Sequence, residues 1–280
     1  MEPVSFVVDG ETLVGELHRA RKRKAKGALV MLHGFNSCLK EFGDAPAELA
    51  QAGYHVLAYD ARGYGGSEGR RGYSDVERAV ADLDAAAGLL KGLFGDDLRL
   101  GVVGHSLGGA FAVATMGRLD HFAAGVAAHP VDRLWDELNP IEKAGYTVLA
   151  KWGAWMERRG QDAKTIPYKL GYDNLFVSRE AKAWGKAVGF LSGTMDLGNY
   201  QPARDMQASA WAKEVTQPVM VVASDQDKVV RKAHSLAVYD ALAGPKRLTT
   251  HRGGHSCWGD LDGEHVVAAT AAWFDEHLGA

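Results

Sequence analysis

Gly104-His105-Ser106-Leu107-Gly108 places a hydroxyl between two glycines, directly after the apolar run Leu100-Gly101-Val102-Val103. A stretch of small and apolar residues from Gly109 to Met116 follows and reads as a buried helix. Strand, sharp turn and helix form the context in which a G-x-S-x-G motif presents a nucleophile. So tight a turn strains the serine backbone, and glycine at each flank removes the collisions that a side chain there would cause. A serine hydroxyl is a poor nucleophile at neutral pH. It needs a base within hydrogen-bond reach and an acid that orients that base. His255, in Gly253-Gly254-His255-Ser256, supplies the base, and the segment from Ser224 to Val230 offers Asp225 and Asp227 for the acid. The interval from Asp227 to His255, 255 − 227 = 28 residues, holds one predicted helix and one predicted strand. Both loops are therefore expected to open on the same sheet edge as Ser106.

The elements that must position these groups are legible as alternating runs. Val4 to Val8 and Glu11 to His18 flank Asp9-Gly10, a two-residue hairpin signal. Ala28 to Leu32 is continuously apolar, as in a strand buried on both faces, and a helix near Ala45 to Ala52 leads to a strand at His55 to Tyr59. Ser74-Asp75-Val76-Glu77 reads as a capping box that opens a helix with Val76, Val80, Leu83, Ala87, Leu90 and Phe94 on one face. Strands at Ala123 to Ala128, Pro218 to Ala223 and Lys246 to His251, with helices at Lys232 to Leu242 and Val266 to Leu278, complete the pattern. The fold class is α/β, a mostly parallel sheet covered by helices on both faces, with an N-terminal antiparallel hairpin. Such a sheet collects its chemistry at the carboxyl ends of its strands.

The alternation breaks between Val131 and Trp211. This stretch lacks strand-like runs and carries Trp135, Trp152, Trp155, Trp184 and Trp211. It reads as a helical cap, 131–211, inserted into a core domain formed by 1–130 and 212–280. Its aromatic residues hold the cap together and offer an acyl- or aryl-binding wall. Trp135, Trp155 and Trp184 are put forward as substrate contacts, together with His129, which precedes Pro130 where the cap begins.

The chain has 280 residues, 46% of them hydrophobic, enough for one large core. A net charge of −3 gives no reason to expect nucleic acid as a partner. The basic run from Arg19 to Lys26 reads as a solvated loop between strands. Cys38 and Cys257 cannot build a disulfide framework, although their places just beyond active-site motifs predict that bulky thiol reagents slow the protein. There is no signal-peptide pattern at the N-terminus and no run long enough to span a bilayer, so a soluble, cytoplasmic protein is expected. The Gly63-Tyr64-Gly65-Gly66-Ser67 segment lacks the Lys-Ser/Thr of a phosphate loop, and no Cys/His/Asp group has metal-ligand spacing. No cofactor or metal is expected.

The order Ser, acid, His matches that of an α/β-hydrolase. The chain resembles that superfamily, and within it the branch of monoacylglycerol lipases, lysophospholipases and serine aminopeptidases. His33-Gly34-Phe35-Asn36 is similar to the HG loop of that branch, and Asp60-Ala61-Arg62-Gly63-Tyr64-Gly65-Gly66-Ser67-Glu68-Gly69 to its D-x-R-G-x-G-x-S-E-G segment, continued by Arg71-Gly72. The resemblance implies Ser106 as nucleophile, His255 as general base and Asp227 as its orienting acid. Val229-Val230 follows Asp227 as the branch pattern requires, which leaves Asp225 to a turn. It further implies backbone N–H groups of Phe35 and Leu107 as the oxyanion hole, and a small-molecule carboxylic ester as substrate. His33 and His105 are expected to bond to backbone around these loops, and His251 to be an ordinary strand residue. An aminopeptidase would need a cap carboxylate for the substrate's amino terminus, for which Glu137, Glu142, Asp162 and Asp196 are available. Carbon–carbon bond hydrolysis on the same triad, and a non-catalytic ligand-binding protein of this fold, are the remaining alternatives.

Overall fold

Residues of alternating direction along each central strand feed two separate cores, one on each side of the sheet. A computed structural model describes residues 1–22, 24–161, 165–167 and 170–279. In chain order, β1 (Glu2–Val8) and β2 (Glu11–His18) form a hairpin turned by Asp9 and Gly10, both at positive φ. Then come β3 (Gly27–Leu32), α1 (Ala45–Ala52), β4 (Tyr54–Tyr59), α2 (Val76–Phe94), β5 (Leu100–His105), α3 (Leu107–Met116) and β6 (Phe122–Ala128). These strands join β9 (Val219–Ala223) and β10 (Lys246–Thr250) in an eight-stranded sheet ordered β1-β2-β4-β3-β5-β6-β9-β10. Only the pairs β1/β2 and β2/β4 are antiparallel.

The period-2 geometry of a strand sends Leu29 and Met31 of β3 to one face and Val30 and Leu32 to the other. On the first face α1 and the C-terminal helix (Gly263–His277) cover Val56, Val103, Val126 and Val222. On the second, α2, α3 and the helix Lys232–Ala241 cover Leu57, Val102, Ala127 and Val221. The charged outer strand, with Lys246 and Arg247 exposed, discourages edge-to-edge pairing with a second sheet. One start signal shifts by a residue: Asp75, not Ser74, caps α2, its side chain accepting from the Arg78 N–H. Ser74 is drawn off by other partners, its hydroxyl bonding Tyr64 at 2.7 Å and its N–H donating to Asn199 at 2.7 Å.

Between β6 and β9 the described elements are mainly helical: α4 (Pro140–Glu157), α5 (Tyr172–Leu175), α6 (Arg179–Val188), α7 (Tyr200–Asp205) and α8 (Ala208–Ala212). A short antiparallel pair, β7 (Thr165–Pro167) with β8 (Thr194–Asp196), lies among them, although the sequence there shows no strand-like run. Three-residue strands are too short to register as periodicity. The helices Lys232–Ala241 and Gly263–His277 become α9 and α10.

Among the polar ties that fasten this segment to the sheet domain, two lie beside the HG turn and in the loop after β4. Arg70, in the loop after β4, grips Asp196 at the end of β8 through Nε–Oδ2 2.7 Å and Nη2–Oδ1 2.6 Å contacts. Asn36, beside the HG turn, accepts from Ser192 and from the Thr194 N–H, and its carbonyl accepts from the Ser192 N–H at 2.8 Å. The Asp196 side chain is 1% exposed, so losing Arg70 strands a buried carboxylate, at a cost of about 3 kcal/mol. Arg70→Leu is expected to lower the thermal midpoint and to speed proteolytic cleavage within 131–211. Limited proteolysis beside the wild type checks this, and an unchanged cleavage rate contradicts it.

Candidate active site

The strain foreseen at the elbow is present. Ser106 sits between β5 and α3 at φ 56°, ψ −118°, a left-handed conformation that a non-glycine residue adopts only when its surroundings hold it there. Its N–H donates to the Ala128 carbonyl at 2.8 Å, fastening the turn to β6. The flanking glycines are sterically required. A Cβ on Gly104 would lie 2.2 Å from the Gly108 carbonyl oxygen, and one on Gly108 would lie 2.4 Å from the carbonyl oxygens of both Leu32 and His33. The close seating at Gly108 brings the HG loop against the elbow, so that Phe35 and Leu107 both border the cavity beside Ser106.

Hydrogen bonds link Ser106, His255 and Asp227 in that order. His255 Nε2 lies 2.9 Å from Ser106 Oγ, and His255 Nδ1 lies 2.7 Å from Asp227 Oδ2. All three side chains are buried. Asp227 Oδ1 accepts from the N–H groups of Val229 and Val230 at 2.8 and 2.9 Å. Burial alone would raise the Asp227 pKa, yet His255 and the hydrogen-bond donors hold it far below the usual carboxylate range. Asp225 instead points outward and pairs with Lys232 at 2.9 Å.

A second buried pair underlies the elbow. His105 Nδ1 lies 2.9 Å from Glu41 Oε1, and His105 Nε2 donates to the His255 carbonyl at 2.8 Å. Glu41 also accepts from the Gly34 N–H, so one carboxylate bridges the HG loop and the elbow. Burial disfavours charge on both partners, but their mutual attraction outweighs it, raising the His105 pKa and lowering that of Glu41. His33 is also fixed as expected: Nδ1 donates to the Gly34 carbonyl and Nε2 accepts from the Ala61 N–H.

Above Ser106 lies a cavity of about 660 Å³ with mostly apolar walls. Phe111, Trp135, Leu138, Met195, Met206 and Trp211 contribute to them, while Tyr73, Asn199 and Asp205 make a polar stretch. Of the residues put forward as substrate contacts, only Trp135 borders this space. Trp155 lies on the outer side of α4, 42% exposed, with the Arg159 guanidinium 4.0 Å from its ring centre. Trp184 packs edge-on to Phe176 and against Gly43, serving to join α6 to the sheet domain. His129 turns inward: it is 1% exposed, and its Nδ1 contacts Asp227 Oδ2 at 2.7 Å. His251, read as an ordinary strand residue, is buried with its Nε2 2.7 Å from His129 Nε2. A Gly-rich loop and a strand terminus gave no hint of that pairing, which only the sheet order creates.

His129, His251 and Cys257 converge closely enough to share a cation, as do His129, Asp227 and His255. The ring nitrogens of His129 and His255 and the Asp227 carboxylate already meet one another, and His251 Nδ1 accepts from the Gly253 N–H at 3.0 Å, which directs the proton to the Nε2 a metal would need. Burial pushes the Cys38 thiol up to about 11 and the Cys257 thiol well above its ordinary value. The thiolate form that reacts is thereby disfavoured at both positions. Of the cap carboxylates, Glu142 caps the start of α4 and Asp196 is held by Arg70. Asp162 and the Glu137 side chain lie outside the described residues. Among those residues no helix is long and apolar enough to cross a membrane.

The fold and the site define an α/β-hydrolase of the esterase and lipase type. The chain belongs to the family described as "Serine aminopeptidase, S33", which matches residues 23–262. It is similar to a monoacylglycerol lipase of Mycolicibacterium smegmatis, 25% identical over 258 residues that cover 90% of this chain and 89% of that protein. Among solved structures it is similar to the α/β hydrolase GrgF from Penicillium sp. sh18, with TM-score 0.84, 22% identity and coverage of 100% and 99% of the two chains. It is also similar to the Paleococcus ferrophilus monoacylglycerol lipase, with TM-score 0.80, 21% identity and coverage of 95% and 99%.

The paired charges of His105 and Glu41 fix a pH window. The raised His105 contributes stability fully below its ordinary 6.5 and loses it as pH climbs through the folded value. The lowered Glu41 contributes above its ordinary 4.5 and loses it as pH falls through the folded value. The stability gap between wild type and Glu41→Gln should be widest between those two values and narrow at higher pH. Denaturant titrations across pH 4 to 9 (roughly the range in which folded domains are measured) check this, and a gap independent of pH contradicts it.

Proposed function

We propose that this protein hydrolyses carboxylic esters through an acyl-enzyme on Ser106. The observation that carries the reading is the unbroken line from Asp227 through His255 to the Ser106 hydroxyl, at 2.7 and 2.9 Å. In the proposed reaction Ser106 Oγ attacks the acyl carbon while His255 Nε2 takes its proton. The oxyanion so formed is assigned to the backbone N–H groups of Phe35 and Leu107. Such donors act on charge that develops only in the transition state, and each is worth roughly a hundredfold to a thousandfold in rate. His255 then protonates the departing alcohol. A water, deprotonated by the same imidazole, releases the acid and restores Ser106. Asp227 stays ionised throughout, holding the ring in the tautomer whose Nε2 faces the serine and stabilising the imidazolium.

The apolar walls around Trp135, Phe111 and Met206 suit an acyl chain, and the stretch at Tyr73, Asn199 and Asp205 suits a polar alcohol. A monoacylglycerol-like ester combines those two ends, in line with the name of the Mycolicibacterium relative, a monoacylglycerol lipase. The family's description favours one second reading, cleavage of an amino-terminal residue from a peptide. That reading needs a carboxylate to meet the substrate ammonium; Glu142 and Asp196 are already engaged, while Asp205 and Glu77 are among the carboxylates that border the cavity. Residues 131–211 are proposed to act as the cap that shapes this pocket.

The wild type is expected to turn over p-nitrophenyl esters and monoacylglycerols, and to leave aminoacyl anilides largely intact. Ser106→Ala should abolish turnover, and Asp227→Asn should lower kcat by about a thousandfold or more, because the ring loses its orienting anion. Faster turnover of the anilides would favour the peptidase reading. Tight ligand binding without any turnover would favour a binding protein of this fold.

A further inference from the structure

The acid of the triad has a partner that the reaction scheme does not use. Asp227 Oδ2, the oxygen that meets His255, also meets His129 Nδ1 at 2.7 Å. His129 Nε2 in turn faces His251 Nε2 at 2.7 Å, and His251 Nδ1 accepts from the Gly253 N–H at 3.0 Å. A backbone N–H can only donate. With His129 kept neutral by burial, that orders every proton in the row: His251 carries its proton on Nε2 and donates to His129, so His129 carries its own on Nδ1 and donates to Asp227. We propose that His129 and His251 form a positioning relay for the triad, in which His129 presents a fixed N–H to the very oxygen that orients His255.

Burial disfavours charge on both rings. It pushes the His129 pKa down to about 3, overcoming the pull of Asp227, and lowers that of His251 as well. The groups around it are the His105 and His255 rings, 6.2 and 5.5 Å from that of His129, the Cys257 thiol, and Asp260 and Asp262 near His251. The Leu261 carbonyl also interacts with His251. A His251 tautomer donating to it would set two lone pairs face to face at 2.7 Å, or would require a charged His129, which burial opposes. The backbone shows that His129 is held in place: its φ is 49°, and its N–H donates to the Val222 carbonyl at 2.9 Å. A buried carboxylate with only His255 on Oδ2 could swing out of line. With a donor on each side of that oxygen and two backbone N–H groups on the other, it cannot rotate without breaking a bond.

The inference rests on the ester-hydrolase reading of the same site, and two substitutions separate them. Glycine and asparagine both tolerate positive φ, so neither strains position 129. His129→Gly removes the donor. His129→Asn places an amide N–H where the imidazole Nδ1–H was, while losing the ring's packing much as glycine does. On a p-nitrophenyl ester, His129→Gly should lower kcat by about tenfold to a hundredfold, the usual weight of a hydrogen bond to a charged group, with KM little changed. His129→Asn should recover most of that kcat, although its thermal midpoint falls beside the wild type. In 15N-histidine NMR of the wild type, His129 should be protonated at Nδ1 only and His251 at Nε2 only. An active wild type whose glycine variant keeps its kcat, or whose two variants lose activity in step with stability, overturns the positioning role alone, as does the opposite His251 tautomer. A wild type inert towards esters and unlabelled by a fluorophosphonate overturns the hydrolase reading, and the positioning role falls with it.

Discussion

Asp227 is buried, yet its donors hold its pKa far below the usual carboxylate range, and the candidate site is arranged around those donors. Removing a carboxylate from water costs several kcal/mol unless its lone pairs are met by donors. Here both oxygens are met twice, Oδ1 by the N–H groups of Val229 and Val230 and Oδ2 by His255 and His129. The arrangement needs contributions from the ends of β6, β9 and β10, which only the strand order of the sheet makes neighbours. Strand order is thus a chemical requirement here as well as a packing solution.

The same economy of donors runs beneath Ser106. Ser106 is held at a strained φ by its bond to Ala128 and by the close approach of Gly108 to Leu32 and His33. Strain of this kind costs of order 1–3 kcal/mol and persists only where the surroundings over-determine it. The Glu41–His105 pair adds that determination, since it ties the HG loop, the elbow and the carbonyl of His255 into one unit. The segment between β6 and β9 joins this unit through Asn36 and Arg70, so Met195, which borders the cavity from that segment, is fastened to the loops after β3 and β4.

What could be read from the chain followed the range of the interaction. Runs such as Ala28 to Leu32 and the glycines around Ser106 report local backbone needs, and each found its strand or turn. Ser106, His255 and Asp227 were legible because their loops each follow a strand that the periodicity already marks. His251 was not, because its partner is 122 residues away on another strand and nothing local records the pairing. The tryptophans show the opposite failure: their types suggested a binding wall, but Trp155 faces outward and Trp184 serves packing. Amphipathic residues suit both tasks, and only the direction of α4 and α6 decides between them.

Brief mixing with a p-nitrophenyl ester, followed by acid quench and tryptic mass mapping, reads the chemistry at its source. Cleavage after Arg99 and Arg118 isolates the peptide Leu100–Arg118, whose serine is Ser106. The account predicts that this peptide gains the mass of the acyl group early in turnover and loses it as substrate runs out. Ester hydrolysis that proceeds with this peptide unmodified, or an acyl group trapped on a different one, would contradict it.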